Sequence, residues 1–600
     1  MPATTGKKPR APKAALTTRD NLSSLIGSAR KILRKDKGLN GDVDRLPLLT
    51  WVMFLKFLDD LEIRHEEEAT LDGRRYRPII EAPYRWRDWA GRDDGISGDE
   101  LLEFIAQDSA IFPDGRRGKG LFAYLRDLAG SGEKGSQREI VANVFRGVQN
   151  RMESGYLLRE IVNKIDGIHF NASDEIHTLS HLYESMLREM RDAAGDAGEF
   201  YTPRPVVRFM VRVVDPRLGE TMLDPACGTG GFLVEAFDHI APQVTHPGER
   251  RVLQRQTLQG QEAKPLPYML AQMNLLLHGL EAPQIAYGNT LQRKIAEIGH
   301  GERVDIILTN PPFGGEEEAG IKANFPPNMQ TAETALLFLQ YIMRKLRVVG
   351  APVSKGKTAA RGGRAAVVVP NGVLFGDGVT AVIKEELLKE FNLHTIVRLP
   401  QGVFAPYTDI PANLLFFERG GPTQSIWYYE LPLPEGRKKY SKTAPLQFEE
   451  FAPALAWWNA REEGAQAWKV DFAAKRAAAL DAAAPHWRQA ETERNAAIAQ
   501  GKPIRDLERK IQTTDGDKAA WLERLAVLKA EQQAHEQAAK AAQAEGDACY
   551  WPIYNLDIKN PNAKAGLAHA DPRELVASMR SHEAEVARLL DEIEALVNEA

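Results

Sequence analysis

From Glu199 onward, short apolar and β-branched runs alternate with segments of helical length, and this alternation leaves few architectures open. The runs Thr221–Asp224, Thr257–Glu262, Val304–Thr309, Ala365–Pro370, Thr395–Leu399 and Asn413–Glu418 read as strands. Between them, Tyr268–His278 and Glu333–Leu346 have the length and pattern of helices. Strands separated by helices pair in parallel rather than as hairpins, and their helices cover the sheet. The predicted fold class is therefore α/β, with a mostly parallel, helix-wound sheet.

The flanks differ in character. Residues 1–18 carry Lys7, Lys8, Arg10 and Lys13 among small residues without periodicity, and are expected to be a disordered basic tail. Residues 19–165 are expected to form an N-terminal helical domain: Leu22, Leu25, Ile26, Ile32 and Leu33 have helical spacing, and Leu46–Leu58 reads as a buried helix. That run is interrupted by Thr50 and Lys56 and is too short to span a bilayer. With no apolar signal-peptide core at the start, a soluble, cytoplasmic protein without membrane partners is expected. The α/β domain is assigned to 166–450. Residues 451–600 are read as a helical region rich in Ala, Glu, Gln, Lys and Arg, broken at Gly501–Pro503 and Thr513–Asp517. Its end carries Leu575, Met579, Val586, Leu589, Ile593 and Leu596 in alternating steps of four and three, with His582 in the missing place. This heptad seam suits packing on its own domain or docking on a helical partner.

Six hundred residues make about four domains' worth of chain. Seventy-seven basic residues against 82 acidic give a net charge of −5, so any grip on nucleic acid must be local or borrowed from a partner. Two cysteines, Cys227 and Cys549, exclude a disulfide framework and a Cys-rich zinc module, and none of the 13 histidines forms a convincing metal-ligand set.

Three motifs carry the chemistry. In Leu223-Asp224-Pro225-Ala226-Cys227-Gly228-Thr229-Gly230-Gly231-Phe232 a strand ends at Asp224, glycines turn the chain tightly, and a helix starts. Such a loop lets a ligand approach the backbone closely and offers helix-start amides to an anion. Leu233 stands where a dinucleotide fingerprint requires glycine, which weakens a dehydrogenase reading. Glu262, at the tip of the next strand, is placed to accept hydrogen bonds from ribose hydroxyls. In Thr309-Asn310-Pro311-Pro312-Phe313-Gly314, directly after an apolar strand, the prolines remove N–H donors. Carbonyls and the Asn310 side-chain oxygen are left as acceptors beside an aromatic face, a set that suits an exocyclic amine. In Glu199-Phe200-Tyr201-Thr202-Pro203-Arg204, Thr202 and Pro203 suit a helix start, and the aromatics could flank a cationic or purine-bearing ligand.

Lys355-Gly356-Lys357-Thr358 imitates the end of a P-loop, but Ala351 replaces the required glycine and no strand precedes it. Around it, Arg344, Lys345, Arg347, Lys355, Lys357, Arg361 and Arg364 form a basic stretch that suits either a solvated loop or a phosphate-contacting one.

Together, and in this chain order, the three motifs resemble the gamma class of S-adenosylmethionine-dependent DNA adenine-N6 methyltransferases. The N-terminal helical domain, the approach Ile168–Pro203 and the segment Tyr554–Pro561 extend the likeness to the modification subunit of type I restriction–modification systems. The resemblance implies a Rossmann-like, seven-stranded methyltransferase domain over 166–450. It implies S-adenosyl-L-methionine as cofactor, with Glu199, Phe200, Tyr201, Thr202, Pro203, Arg204, Gly228, Thr229 and Gly230 around its methionine end. Asp224 would orient the amino group, Glu262 the ribose, and Asn289 would lie near the adenine. Asn310, Pro311, Pro312 and Phe313 would form the catalytic pocket for a flipped target base. The implied partners are DNA, a separate specificity subunit shared by two methyltransferase subunits, and a restriction subunit. A self-sufficient enzyme, methylation of cytosine N4, a protein glutamine methyltransferase and a catalytically dead scaffold are the alternatives.

Overall fold

The computed structural model describes residues 19–562 apart from 92–94, 113–114, 132–135, 169, 171–178, 182, 189–200, 351, 355–356 and 359–360. The expected basic tail, the heptad seam beyond Pro572, and Glu199, Phe200, Lys355 and Gly356 lie outside the described residues.

One sheet organises the chain. Its strands are β1 (Met222–Asp224), β2 (Leu258–Glu262), β3 (Gln284–Tyr287), β4 (Ile306–Thr309), β5 (Arg364–Pro370), β6 (Asn392–Arg398), β7 (Ala412–Glu418), β8 (Ser425–Glu430) and β9 (Ala467–Asp471). Across the sheet they run β9-β8-β6-β7-β5-β4-β1-β2-β3. From β3 to β5 all pairs are parallel. β7 is antiparallel to both neighbours, β8 parallel to β6, and β9 antiparallel to β8. The sheet is thus nine strands wide where seven were expected. The addition comes from aromatic β8 and from β9, which lies in the segment read as wholly helical, so the sheet extends beyond residue 450. β3 was missed because Gln-Ile-Ala-Tyr is too short and too polar to stand out.

Side chains alternate across the sheet, so each strand serves two cores. Along β5, Ala366 and Val368 enter a cluster that continues into the N-terminal helices through Phe54, Phe57 and Tyr183. Ala365, Val367 and Val369 face a second cluster, with Leu336, Ile383, Trp468 and Tyr554. The Leu46–Leu58 run lies within one long helix, Asp42–Leu71, and is almost entirely buried. The N-terminal region is not purely helical, because Ser109–Ile111 pairs antiparallel with Arg117–Lys119. No helix among the described residues is long and apolar enough to cross a membrane.

Beyond β9 two long helices, Phe472–Thr513 and Ala519–Tyr550, pair into a hairpin. Gly501–Pro503 does not break the first helix, which continues through both Pro485 and Pro503. Its buried positions Ala483, Ala490, Ala497 and Ile504 recur every seventh residue against Leu528, Ala539, Ala542 and Gly546 of its partner. That small-residue seam holds the helix together where proline removes an internal bond. At the root, Tyr428 donates to the Leu556 carbonyl (3.1 Å) and Arg398 pairs with Asp557 (2.8 Å), tying Tyr554–Pro561 across the sheet.

The basic stretch is partly structural. Arg347 pairs with Asp305 at 2.8 Å, and Arg364 with Glu220 at 2.7 Å. Neither guanidinium is available to a phosphate.

Candidate active site

β2, β1 and β4 are adjacent and parallel, so Asp224, Glu262 and Asn310 emerge at the same edge of the sheet. The chain departs in opposite directions on either side of β1, and crevices open at such a switch point. The glycine loop follows β1. Gly228 and Gly230 adopt φ of 52° and 80°, in the left-handed region that glycine enters without penalty. The Gly230 N–H donates to the Cys227 carbonyl (2.7 Å) to close the turn, and the Gly231–Ile240 helix begins directly after it.

Buried carboxylates shape this loop. Glu262 accepts from the Gly228 N–H (3.0 Å) through one oxygen and from the Lys264 N–H (2.8 Å) through the other. Burial raises its pKa, although these N–H bonds oppose the shift. Asp224 is almost wholly buried and accepts from Thr309 Oγ1 (2.7 Å) and the Ala226 N–H (3.2 Å). Burial pushes its carboxyl up to about 7.

Asn310 directly follows β4 beside this network. Its Nδ2 donates to Thr202 Oγ1 (3.1 Å), whereas its Oδ1 is buried with no hydrogen-bond partner among the described residues. A buried amide oxygen left open is an acceptor held ready for a donor. Pro311 is buried and Pro312 exposed. The Phe313 ring meets Phe404 edge-on, with centroids 5.2 Å apart.

The three motifs therefore converge: Thr202 is bonded to Asn310, the neighbouring Thr309 to Asp224, and Gly228 to Glu262. Tyr201 is buried, and Pro203 begins the Arg204–Val214 helix as its cap. Two of the expected site residues are engaged within the protein itself. Arg204 lies under the loop and grips Glu184 with both ends of its guanidinium. Burial alone would raise the Glu184 pKa, but Arg204 and Asn274 hold it below the usual carboxylate range. Asn289 caps a short turn by accepting from the Leu291 N–H (2.9 Å). Thr229 is buried, and its carbonyl accepts from Asn274 Nδ2 (2.9 Å).

Sequence reasoning missed Thr309, Glu184, Asn274 and Phe404. Thr309 stood inside a quoted motif, and its hydroxyl beside Asp224 was a usable signal. The others come from distant elements and carry none.

The N-6 DNA methylase family profile matches residues 174–495, and the chain belongs to that family. Within it, the chain is similar to the methylase subunits of type I restriction enzymes. It is 47% identical over 458 residues to the EcoEI methylase subunit of Escherichia coli, covering 75% of this chain and 87% of that protein. A crystal structure assigned to a type I modification subunit from Vibrio vulnificus YJ016 superposes with a TM-score of 0.69 at 63% identity, over 77% of this chain and 94% of that one. A chain from a study of complex assembly in the type I restriction–modification system gives 0.67 at 35% identity, over 97% and 99%.

Proposed function

We propose that this chain is the methyltransferase subunit of a type I restriction–modification complex, transferring a methyl group from S-adenosyl-L-methionine to adenine N6 in DNA. The observation that carries the assignment is the open, buried Asn310 Oδ1, held by the bond of its own amide to Thr202 beside the glycine loop. The cofactor supplies a methyl carbon on a sulfonium, whose sulfur leaves as a neutral thioether.

The residues fit such a group. Two buried carboxylates, Asp224 and Glu262, line the loop and suit a ligand bearing a sulfonium and an ammonium. Gly288 has a φ of 145° and open space where a side chain would stand, leaving room at the third strand end. Asp224 would take the amino group, Glu262 the ribose hydroxyls, and Tyr201 to Pro203 with Gly228 to Gly230 the methionine end. The strand order, with β7 the single reversed strand among β1 to β7 and the chain reversal at β1, supports a Rossmann-like methyltransferase core widened by β8 and β9.

The N6 amine of adenine is a weak nucleophile because its lone pair is delocalised into the ring. Asn310 Oδ1 and the Pro311 carbonyl would accept its two hydrogens and turn the lone pair out of the ring plane. Alignment then lowers the barrier more than a strong base would, and the methylated nitrogen, cationic on attack, loses one of its two protons to solvent. The amine is inaccessible inside a duplex, so the base is flipped out, with Phe313 against its face. The net charge of −5 supports a separate specificity subunit that supplies the grip on DNA; two copies of this chain would share it, and a restriction subunit would join them. Labelled methyl transfer to N6 of adenine, strong with the specificity subunit and weak without it, tests the assignment. Labelled N4-methylcytosine or methylated protein in the digest would refute it.

Thr202 is the positioning residue for Asn310. With Nδ2 bound to Thr202, the amide cannot turn its oxygen away. Thr202→Val should lower kcat about tenfold, the worth of one hydrogen bond, while Thr202→Ser retains it. A serine variant as slow as the valine variant would overturn this role.

The Asp224 carboxyl, raised from 3.8 to about 7 by burial, gives a pH signature. In the free protein its contribution to stability is full below the unfolded value and falls as pH rises through 7. A bound cation favours the ionised form, so cofactor binding at pH 6.5 should release a proton, and affinity should rise toward pH 8. Calorimetry at pH 6.5 in buffers of different ionisation enthalpy reads this directly, because a free amino group (pKa about 7.7–8.0) is then already charged. Asp224→Asn should abolish the release.

A further inference from the structure

Beside the catalytic pocket, two loops are built into one another. The first, residues 399–411, carries Phe404, whose ring packs on Phe313. The second, residues 431–447, bears four basic residues (Arg437, Lys438, Lys439 and Lys442) against the single acid Glu435, within a chain of net charge −5. The loops are joined through their backbones: the Tyr440 N–H donates to the Gln401 carbonyl (3.0 Å). Gly402, at a φ of 80°, lies so close that a β-carbon would stand 2.2 Å from the Tyr440 carbonyl oxygen. Lys439 reaches back to Asp409 of the first loop (3.0 Å), both side chains remaining about half exposed. Tyr440 is buried and donates to Glu450, and Arg437 lies 5.1 Å from the centre of its ring. Arg437 and Tyr440 thus set the loop's shape, while Lys438 and Lys442 are exposed at its surface.

We infer that the 431–447 loop is a phosphate-contacting lip, on which Lys438 and Lys442 hold the DNA backbone flanking the target nucleotide. The inference rests on the assignment of Asn310 to Phe313 as the base pocket. A base swung out of a duplex turns about its own backbone, so its neighbouring phosphates are drawn to the mouth of the pocket. Phe404 fixes how far this lip stands from Phe313. Positive charge there compensates locally for an acidic chain, and it acts without reading sequence.

The test uses the full chain, alone and assembled with its specificity subunit, with a fluorescent duplex read by anisotropy across a salt series. Lys438→Ala/Lys442→Ala should weaken DNA binding and flatten the plot of log affinity against log salt by about two, the slope of about two lost phosphate contacts. The loss should appear in KM for DNA, while cofactor affinity by calorimetry stays at the wild-type value. Lys502→Ala/Lys540→Ala, which removes the same charge from the helical hairpin, should leave the slope as it was. An unchanged slope in the Lys438/Lys442 variant would overturn the proposal. So would weaker capture of the specificity subunit at an unchanged slope, which would make the lip a protein contact. Because anisotropy reads DNA directly, a failed adenine assignment would show instead in the wild-type digest.

Discussion

Asn310→Ala is expected to abolish methyl transfer while the cofactor still binds. The variant removes a buried oxygen at the end of the reactive strand that has no partner among the described residues. It leaves Gly228, Glu262 and Asp224 bonded as they are, because none of them depends on the Asn310 side chain. Loss of a preorganised hydrogen-bonding group at a reacting centre costs about 10²–10³-fold in kcat, and loss of the Thr202 bond adds to it. Single-turnover transfer with saturating DNA would measure the fall, and calorimetry would check that cofactor affinity moves by less than about threefold. A variant that keeps more than about a tenth of the wild-type rate would show that Asn310 does not hold the amine.

Gly228→Asp should fail at the opposite step. Its φ of 52° strains a residue with a side chain, and its N–H serves the Glu262 carboxylate. A third carboxylate beside Asp224 and Glu262 would stand in the cradle itself. Strain of about 1–3 kcal/mol and a weakened charge-assisted bond of about 1.5–3 kcal/mol, both distorting the cradle, together predict a loss of cofactor affinity of about seventyfold or more. Calorimetric titration with S-adenosyl-L-methionine would read it. Wild-type affinity in this variant, with the rate alone reduced, would move the cofactor away from the loop.

The parts of the fold written in local pattern were legible in the sequence. β1 and β4 to β7 announced themselves as apolar or β-branched runs, β2 stood out less by composition than by following the glycine-loop helix, and the Asp42–Leu71 helix read as a buried one. β9 was hidden because Ala-Trp-Lys-Val-Asp sits beside an Ala-rich helix and is defined only by its pairing with β8. Pro503 misled because a helix-breaking residue was weighed without the facing helix that supports it. At the site, Asn310, Asp224, Gly228 and Glu262 were found because each motif combines a strand end with unusual backbone chemistry. Arg204 could not be assigned to Glu184 from spacing, since that pair is made only when two segments fold together. Phe404 and the basic loop behind it became visible only once the sheet had brought them to Phe313.

The helical hairpin joins the sheet almost without a linker: β9 ends at Asp471, whose carboxylate caps the next helix through the Ala474 N–H (2.9 Å). Forty-two helical residues make a lever arm about 60 Å long with its fulcrum at the sheet's edge. A tilt of about 5° at that fulcrum sweeps the far end through about 5 Å, given the helix length. Traction on the tip would therefore reach the β9 edge of the sheet as torque, with little slack to absorb it.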